Sequence, residues 1–407
     1  MKKIFIICIS VLISGGIFAQ GKSHGKADFR LGNGLDIQLN DGDYTFNLGG
    51  FIQAGAQYLK DEGSKAENRF DIKYGYLSLA GNAKKEKVSF LLQLDFADSK
   101  PLLDAWIAYK PIKFLTISAG QKQTFTNNRE MTFLENRLSM VDRSIMSRNL
   151  ASTGRELGLF LESEFMLGNV GILPQFAVTT GDGRNSFGSS STDVDKGGLK
   201  YGGRFDIAPL GMFTPGNDKI GADLAHEKSP KVKVGVAGSY NSGVSNAFGE
   251  GHGDFALYTA EGKEKLPDYR KLYADIMFKF QGFSLLGEYG NTSATRIKGL
   301  HTATNGTGEL LPGDISSFLY LGDSYNIQMG YALRNGFALD LRYTKIKPEY
   351  EDSESVLKDV SAYDVTLTKY FVDNRLKIQG GFSYLDYKKE NNIRNHIQAE
   401  LLLQVIF

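Results

Sequence analysis

Six basic side chains lie close together in one stretch of the chain and could bind anions. They are Lys122, Arg129, Arg137, Arg143, Arg148 and Arg155. The acids of 121–155 are Glu130, Glu135 and Asp142, so six positive charges minus three negative charges leave +3 there, in a chain of net charge +1. A guanidinium group offers paired donors to phosphate or carboxylate oxygens. The alternative is that these cations pair with nearby acids and only hold the segment in place.

The other reactive side chains form no catalytic or metal-binding pattern. The histidines are scattered without metal-ligand spacing: His24, His226, His252, His301 and His396. No Gly-x-Ser-x-Gly motif is present, and the polar residues of 181–195 lack the ligand spacing of a calcium-binding loop. The single cysteine, Cys8, lies in the apolar start of the chain. We therefore expect no enzyme activity, no cofactor and no metal site.

The start of the chain has the pattern of a secretory signal peptide. Lys2 and Lys3 precede the apolar run Ile4–Ile13, and the small residues up to Ala19 suit cleavage after it. This run is too short for a membrane-spanning helix, which needs about 20 apolar residues. The near-neutral charge argues against nucleic-acid binding. The predicted organisation is a signal peptide at 1–19, a leader at 20–43 and one domain at 44–407.

The last residues indicate a membrane-spanning strand. From His396 to Phe407 every second residue is apolar, and the residues between them include Gln398, Glu400 and Gln404. A strand with one lipid-compatible face and one wet face suits the wall of an outer-membrane barrel. The segment also resembles the C-terminal signal that such barrels present to their assembly machinery, and it ends on Phe407.

The same alternation predicts sixteen antiparallel strands closed into a barrel. We place them near 44–59, 69–82, 86–97, 102–110, 113–120, 154–165, 169–180, 198–206, 230–242, 269–280, 282–293, 320–332, 335–346, 360–371, 374–387 and 393–407. Short turns should alternate with long polar loops, as in outer-membrane barrels. The connection 207–229 is long where a short turn is expected. Residues 29–40 alternate weakly and fit either an extra strand or a tether.

The third loop at the long-loop end, 121–153, is itself long and is predicted to narrow the barrel. Sixteen strands enclose a wide aqueous opening, and loops longer than about 15 residues are usually functional or disordered. This loop contains many apolar residues, among them Phe125, Phe133 and Leu138. Such a loop should pack inside the lumen, where its basic residues would form the constriction.

Three motifs in this region resemble the phosphate-selective porin O and P family. They are Gly120-Gln121-Lys122-x-x-Phe125, Phe133-x-Glu135-x-Arg137 and Gly154-Arg155-Glu156-Leu157-Gly158. The resemblance implies a homotrimer of sixteen-stranded barrels, a third loop folded into the lumen and uptake of phosphate, with Lys122, Arg137 and Arg155 as the best-matching basic positions. The motif around Lys122 lacks the family's proline, and Ile72–Tyr76 replace the paired arginines of the second strand. These departures leave general anion passage open.

Three hypotheses follow. The first is a passive porin in the outer membrane of a double-membraned bacterium, embedded in its lipids and passing small, phosphate-like anions. The second is a barrel for neutral solutes such as sugars. The third is a secreted, soluble β-protein that serves as a binding module.

Overall fold

The structure is a computed structural model that describes residues 25–152, 154–186, 197–251, 253–351, 354–387 and 394–407. The predicted signal peptide, 1–19, lies outside these residues. The strands are β1 (Lys26–Arg30), β2 (Gly34–Leu39), β3 (Tyr44–Asp61), β4 (Glu67–Ala83), β5 (Val88–Asp95), β6 (Leu102–Ile112), β7 (Leu115–Gln123), β8 (Arg155–Ser163), β9 (Phe165–Leu167), β10 (Val170–Thr179), β11 (Lys200–Ala208), β12 (Lys231–Asn241), β13 (Asp268–Phe280), β14 (Phe283–Thr295), β15 (Gly322–Ala332), β16 (Phe337–Pro348), β17 (Val360–Val372), β18 (Leu376–Tyr387) and β19 (His396–Ile406). The helical segments are α1 (Ile145–Leu150) and 3-10 turns at Asn40–Gly42, Arg129–Thr132, Glu135–Arg137, Asn217–Lys219 and Asp314–Ser317. Among the described residues, no helix is both long enough and apolar enough to cross a membrane.

The sheet closes on itself as an antiparallel barrel. Strands β3 to β19 are seventeen segments, and β8 and β9 both pair with β10 as one interrupted strand, which leaves sixteen. The last strand pairs with β3, with Ile406 opposite Phe51 and His396 opposite Asp61. Phe407 and Gly50 also exchange two backbone hydrogen bonds of 2.8 and 2.9 Å. Closure leaves no unpaired edge in the barrel wall, which lipid would penalise by several kcal/mol per backbone group. The predicted sixteen-stranded barrel is confirmed.

The strands have an apolar outer face and a polar inner face. In β16, Leu339 and Leu341 are exposed, whereas Asp340, Arg342 and Thr344 between them are buried. Successive residues of a strand point to opposite faces. The exposed apolar side chains therefore cover the outside of the barrel, and the buried polar ones face its interior.

The connections alternate in length as predicted, so the barrel has a short-turn end and a long-loop end. Between β11 and β12 lies the exception, a long connection at 209–230 on the short-turn end. The weakly alternating segment 29–40 contributes to the hairpin β1–β2, which pairs with the first residues of β3, Tyr44–Leu48. It therefore continues the sheet beyond the barrel wall.

Candidate functional site

The third loop is the connection between β7 and β8, residues 124–154. It forms hydrogen bonds with inner-face side chains on several sides of the barrel. These partners are Tyr76 on β4, Asp206 on β11, Asp275 on β13, Glu288 on β14, Arg342 on β16, Lys377 on β18 and Gln398 on β19. The loop also buries Met146 and Leu150 in an apolar cluster with Tyr273 of β13 and Ile346 of β16. Because so many wall strands hold the loop, its conformation is specified along most of its length.

Arg129 is held in a buried network of four charges. Its Nε atom lies 2.6 Å from Asp275 Oδ1, and its Nη2 atom lies 2.7 Å from Asp206 Oδ1. Arg204 pairs with the same two carboxylates, at 2.9 Å from Asp206. Two arginines and two aspartates leave no net charge. A buried ion needs such compensation, because loss of one partner typically costs about 3–5 kcal/mol. Arg129 therefore serves to fix the loop.

Arg143 holds parts of the loop together, and its partner Glu135 also contacts the wall of the barrel. Its guanidinium donates to Glu135 Oε1 at 2.8 Å and to the carbonyl oxygens of Glu130 and Phe133. The hydroxyl of Tyr76 on β4 donates to the other oxygen of Glu135, also at 2.8 Å. Burial raises the pKa of Glu135, but the positive charges of Arg143 and Arg155 outweigh it and lower the pKa to about 2. Glu135 is therefore ionised at neutral pH.

Lys122 and Arg155 lie at strand ends and not within the loop. Lys122 is on β7 and pairs with Glu162 of β8. Arg155 begins β8, and its Nε atom lies 2.8 Å from Asp104 Oδ2. The loop is thus slightly shorter than the predicted 121–153 at its start, because β7 continues to Gln123.

The last two of the six predicted cations form no ion pair with the described residues. Arg148 lies on α1 with its side chain exposed. Arg137 is half-buried at the end of a 3-10 turn. Burial lowers the pKa of Arg137, and the carboxylate of Asp218 opposes that shift. An arginine side chain nevertheless stays protonated in proteins, so Arg137 carries a charge that no ion pair within the described residues neutralises.

Two cavities border the third loop, and Gln123 lines both. The outer cavity faces the long-loop end and has a volume of about 690 Å³. The inner cavity faces the short-turn end and has a volume of about 460 Å³. Charged residues lining the outer cavity are Asp95, Asp98, Lys100, Glu135, Arg143, Arg148, Arg155, Asp182, Arg184, Glu250 and Asp254. Those lining the inner cavity are Asp104, Lys122, Arg129, Arg137, Glu162, Arg204, Asp206, Asp218, Lys219 and Lys233.

The inner cavity has an excess of positive charge. Six basic and four acidic residues line it, which gives +2, whereas the outer cavity has five basic and six acidic residues. Besides the pairs described above, Lys233 pairs with Asp218 at 2.6 Å. The lining cations that form no ion pair within the described chain are Arg137 and Lys219. The inner cavity can therefore attract an anion with these two side chains.

The sequence pattern identified Arg137 but not Lys219. It grouped cations that are neighbours in the chain, whereas Lys219 comes from the connection 209–230. The one signal for this connection was its length on the short-turn end. Histidine, cysteine and carboxylate side chains form no cluster of three or more that could hold a metal within the described chain.

A closed sixteen-stranded barrel with an apolar exterior and a polar, charged interior is the architecture of a porin. The family model of phosphate-selective porin O and P matches residues 46–307. The chain belongs to this family, which confirms the resemblance noted in the sequence. No curated protein sequence matches the chain.

Solved structures with the same fold are outer-membrane proteins of low sequence identity. The outer-membrane channel DcaP of Acinetobacter baumannii has 12% identity and a TM-score of 0.52, over 90% of this chain and 99% of that chain. OprB of Pseudomonas putida has 10% identity and a TM-score of 0.53, over 89% and 94%. In-vitro folded OmpT of Vibrio cholerae has 8% identity and a TM-score of 0.51, over 90% and 98%. At these identities the similarity concerns the fold. The family and the fold together set aside the soluble binding module.

Proposed function

We propose that this porin is a passive diffusion channel for small anionic solutes such as phosphate, and that its third loop folds into the lumen to narrow the path. The observation that carries the proposal is the +2 excess in the inner cavity, which remains after every other lining cation is paired. Basic side chains along a narrow aqueous path attract anions and repel cations. The path needs no bond-making step, so the proposed function is not enzymatic.

The loop contacts support its place in the lumen. Residues 124–154 are hydrogen-bonded to the inner faces of β4, β11, β14, β16 and β19. Contacts with strands spaced around the barrel are those expected of a segment that crosses the barrel interior. The two cavities would then be the spaces that the loop leaves on either side of the constriction.

The proposed setting is the bacterial outer membrane. The signal peptide at 1–19 would direct secretion, and the exposed apolar face would contact membrane lipids. The C-terminal strand ending at Phe407 would be recognised by the barrel-assembly machinery. The solved Vibrio cholerae OmpT has a trimer form, and we propose a homotrimer for this chain. In this membrane the short-turn end would face the periplasm.

Planar-bilayer recording tests the proposed selectivity. Under a gradient of potassium chloride the reversal potential of the wild-type channel should indicate anion preference. Arg137→Glu replaces an unpaired positive charge by a negative one and should shift that potential toward cation preference. Lys113→Glu makes the same change on an exposed turn outside the cavities and should leave it unchanged. A cation-selective wild-type channel would refute the proposal.

A second candidate function is passage of neutral solutes such as sugars. Tyr74 and Tyr76 line the outer cavity and Trp106 lines the inner one, and aromatic rings can stack against sugar rings. Block of the current by maltose, without block by phosphate, would favour this function over the first.

A further inference from the structure

A buried lysine on the inner face of the barrel holds the connection 209–230 in place. Lys279 of β13 is fully buried, and its ammonium group donates to three carbonyl oxygens of the connection. The acceptors are Asn217 and Ile220, each at 2.6 Å, and Ala222 at 2.8 Å. An ammonium group has three donors, so the connection satisfies all of them. The segment is therefore held against the inner face of β13.

The anchored connection touches the third loop. The Gly221 N–H group donates to the Arg137 carbonyl oxygen at 2.9 Å. A Cβ atom at Gly221 would lie 2.8 Å from Ser139 Oγ, so this close approach requires glycine. Phe213 packs in one cluster with Phe133 and Leu138 of the loop. The two segments are thus interlocked, although they come from opposite ends of the barrel.

The interlock brings two unpaired cations to one cavity. Lys219 is two residues from Gly221, and Arg137 is the residue to which Gly221 is bonded. Both side chains line the inner cavity. Asp218 acts electrostatically on Arg137, but it forms its ion pair with Lys233, at 2.6 Å. Neither Arg137 nor Lys219 forms an ion pair with any residue that the structure describes.

We propose that Arg137 and Lys219 form one anion-binding subsite at the short-turn side of the constriction, completed by the connection 209–230. The ligand class is a small oxyanion, either inorganic phosphate or a carboxylate. The planar guanidinium would hold two oxygens of the ion, and the flexible ammonium group would act as a point charge on another. The subsite rests on the proposed anion-channel function and adds to it a defined place where an ion pauses.

Phosphate block of the chloride current tests the subsite. The apparent affinity for inorganic phosphate would be measured for wild type, Lys219→Gln and Arg137→Gln in the full-length channel. Each variant should weaken that affinity about tenfold, the factor expected when one charge-assisted hydrogen bond is lost. Lys228→Gln is the matched control, because Lys228 is exposed on the same connection and lines neither cavity. Its phosphate affinity should equal that of wild type.

The possible outcomes separate the subsite from the function. If wild type prefers anions and binds phosphate but Lys219→Gln has no effect, the subsite is wrong and the channel function stands. If Lys228→Gln weakens binding as much as Lys219→Gln, the overall positive charge of the region attracts phosphate, and the subsite is wrong. If only one of the two subsite variants has an effect, the joint site is wrong. A wild-type channel without anion preference or phosphate block refutes both proposals.

Discussion

Glutamine at position 135 would release part of the third loop from its folded conformation. Glu135 accepts hydrogen bonds from Arg143 and Tyr76, each at 2.8 Å. Burial raises its pKa, yet Arg143 and Arg155 lower it from 4.5 to about 2. At about 1.4 kcal/mol per pH unit, the folded loop stabilises the ionised carboxylate by on the order of 3 kcal/mol. Glu135→Gln removes most of this term, so conformations in which this part of the loop is unfolded should become about a hundredfold more populated.

Single-channel recording at pH 7 measures this release as open-channel noise. Glu135→Gln should raise the noise and the mean conductance, because the loop partly leaves the path. Tyr76→Phe removes one hydrogen bond of about 1 kcal/mol and should have a much smaller effect. Noise in Glu135→Gln equal to that of wild type would refute the assigned role of the Arg143–Glu135 pair.

The wild-type channel should show the same release at low pH. The pKa of Glu135 is lower in the folded loop than in the locally unfolded one, so its contribution is complete above about pH 4.5 and is lost as the pH falls toward 2. Wild-type noise should therefore be constant from pH 7 to about pH 5 and rise below it. The difference between wild type and Glu135→Gln isolates this group, because other carboxylates titrate in both proteins.

Three further sequence changes test the barrel and the interlock. Gly221→Val places side-chain atoms against Ser139 and should increase channel noise, whereas Ser229→Val, on the exposed part of the same connection, should not. Deleting Phe407 removes the backbone bonds that close the last strand and should lower the fraction of heat-modifiable, assembled barrel in membranes. Leu341→Arg puts a charge on the exposed outer face and should destabilise the barrel by about 2–4 kcal/mol in vesicle unfolding if this position lies near the bilayer midplane; an unchanged unfolding free energy would contradict a lipid-facing position.

The barrel could be predicted from the sequence because its signals are local. Alternation in a segment such as Phe337–Thr344 identifies a strand and both of its faces without knowledge of its neighbours. Closure of the barrel could also be predicted, because the C-terminal segment alternates as a membrane-spanning strand does. That segment pairs with β3 in the structure. The hairpin β1–β2 could not be predicted from residues 29–40, because a short strand with weak alternation has no distinguishing local signal.

The ion pairs between the third loop and the wall strands could not be predicted in the same way. Arg129 pairs with Asp206 and Asp275, which are 77 and 146 residues away in the chain. The sequence contains no local signal of such contacts. Glu130 and the other acids close to Arg129 in the sequence did not indicate these partners. Lys219 was missed for the same reason, since its place in the cavity depends on a connection that folds back against β13.

The loop has little regular structure, so charged side chains of the loop and of the wall must satisfy its backbone. Arg143 donates to two of its carbonyl oxygens, and Lys377 of β18 donates to a third, on Leu138. Unpaired buried carbonyl groups are costly, and these two side chains remove that cost while fixing the position of the loop. A cation used in this way cannot bind a passing solute without releasing the loop.

This division of roles predicts two different phenotypes. Arg129→Met breaks a buried network and should alter conductance and noise first, because Asp206 and Asp275 then hold excess charge beside the loop. Arg137→Gln removes an unpaired charge and should reduce anion preference while conductance changes little. Reversal potential and single-channel conductance, measured for both variants in the same salts, separate the two effects. If Arg129→Met changed selectivity at constant conductance, the paired cations would contact solutes directly, and the assignment of Arg129 to loop support would be wrong.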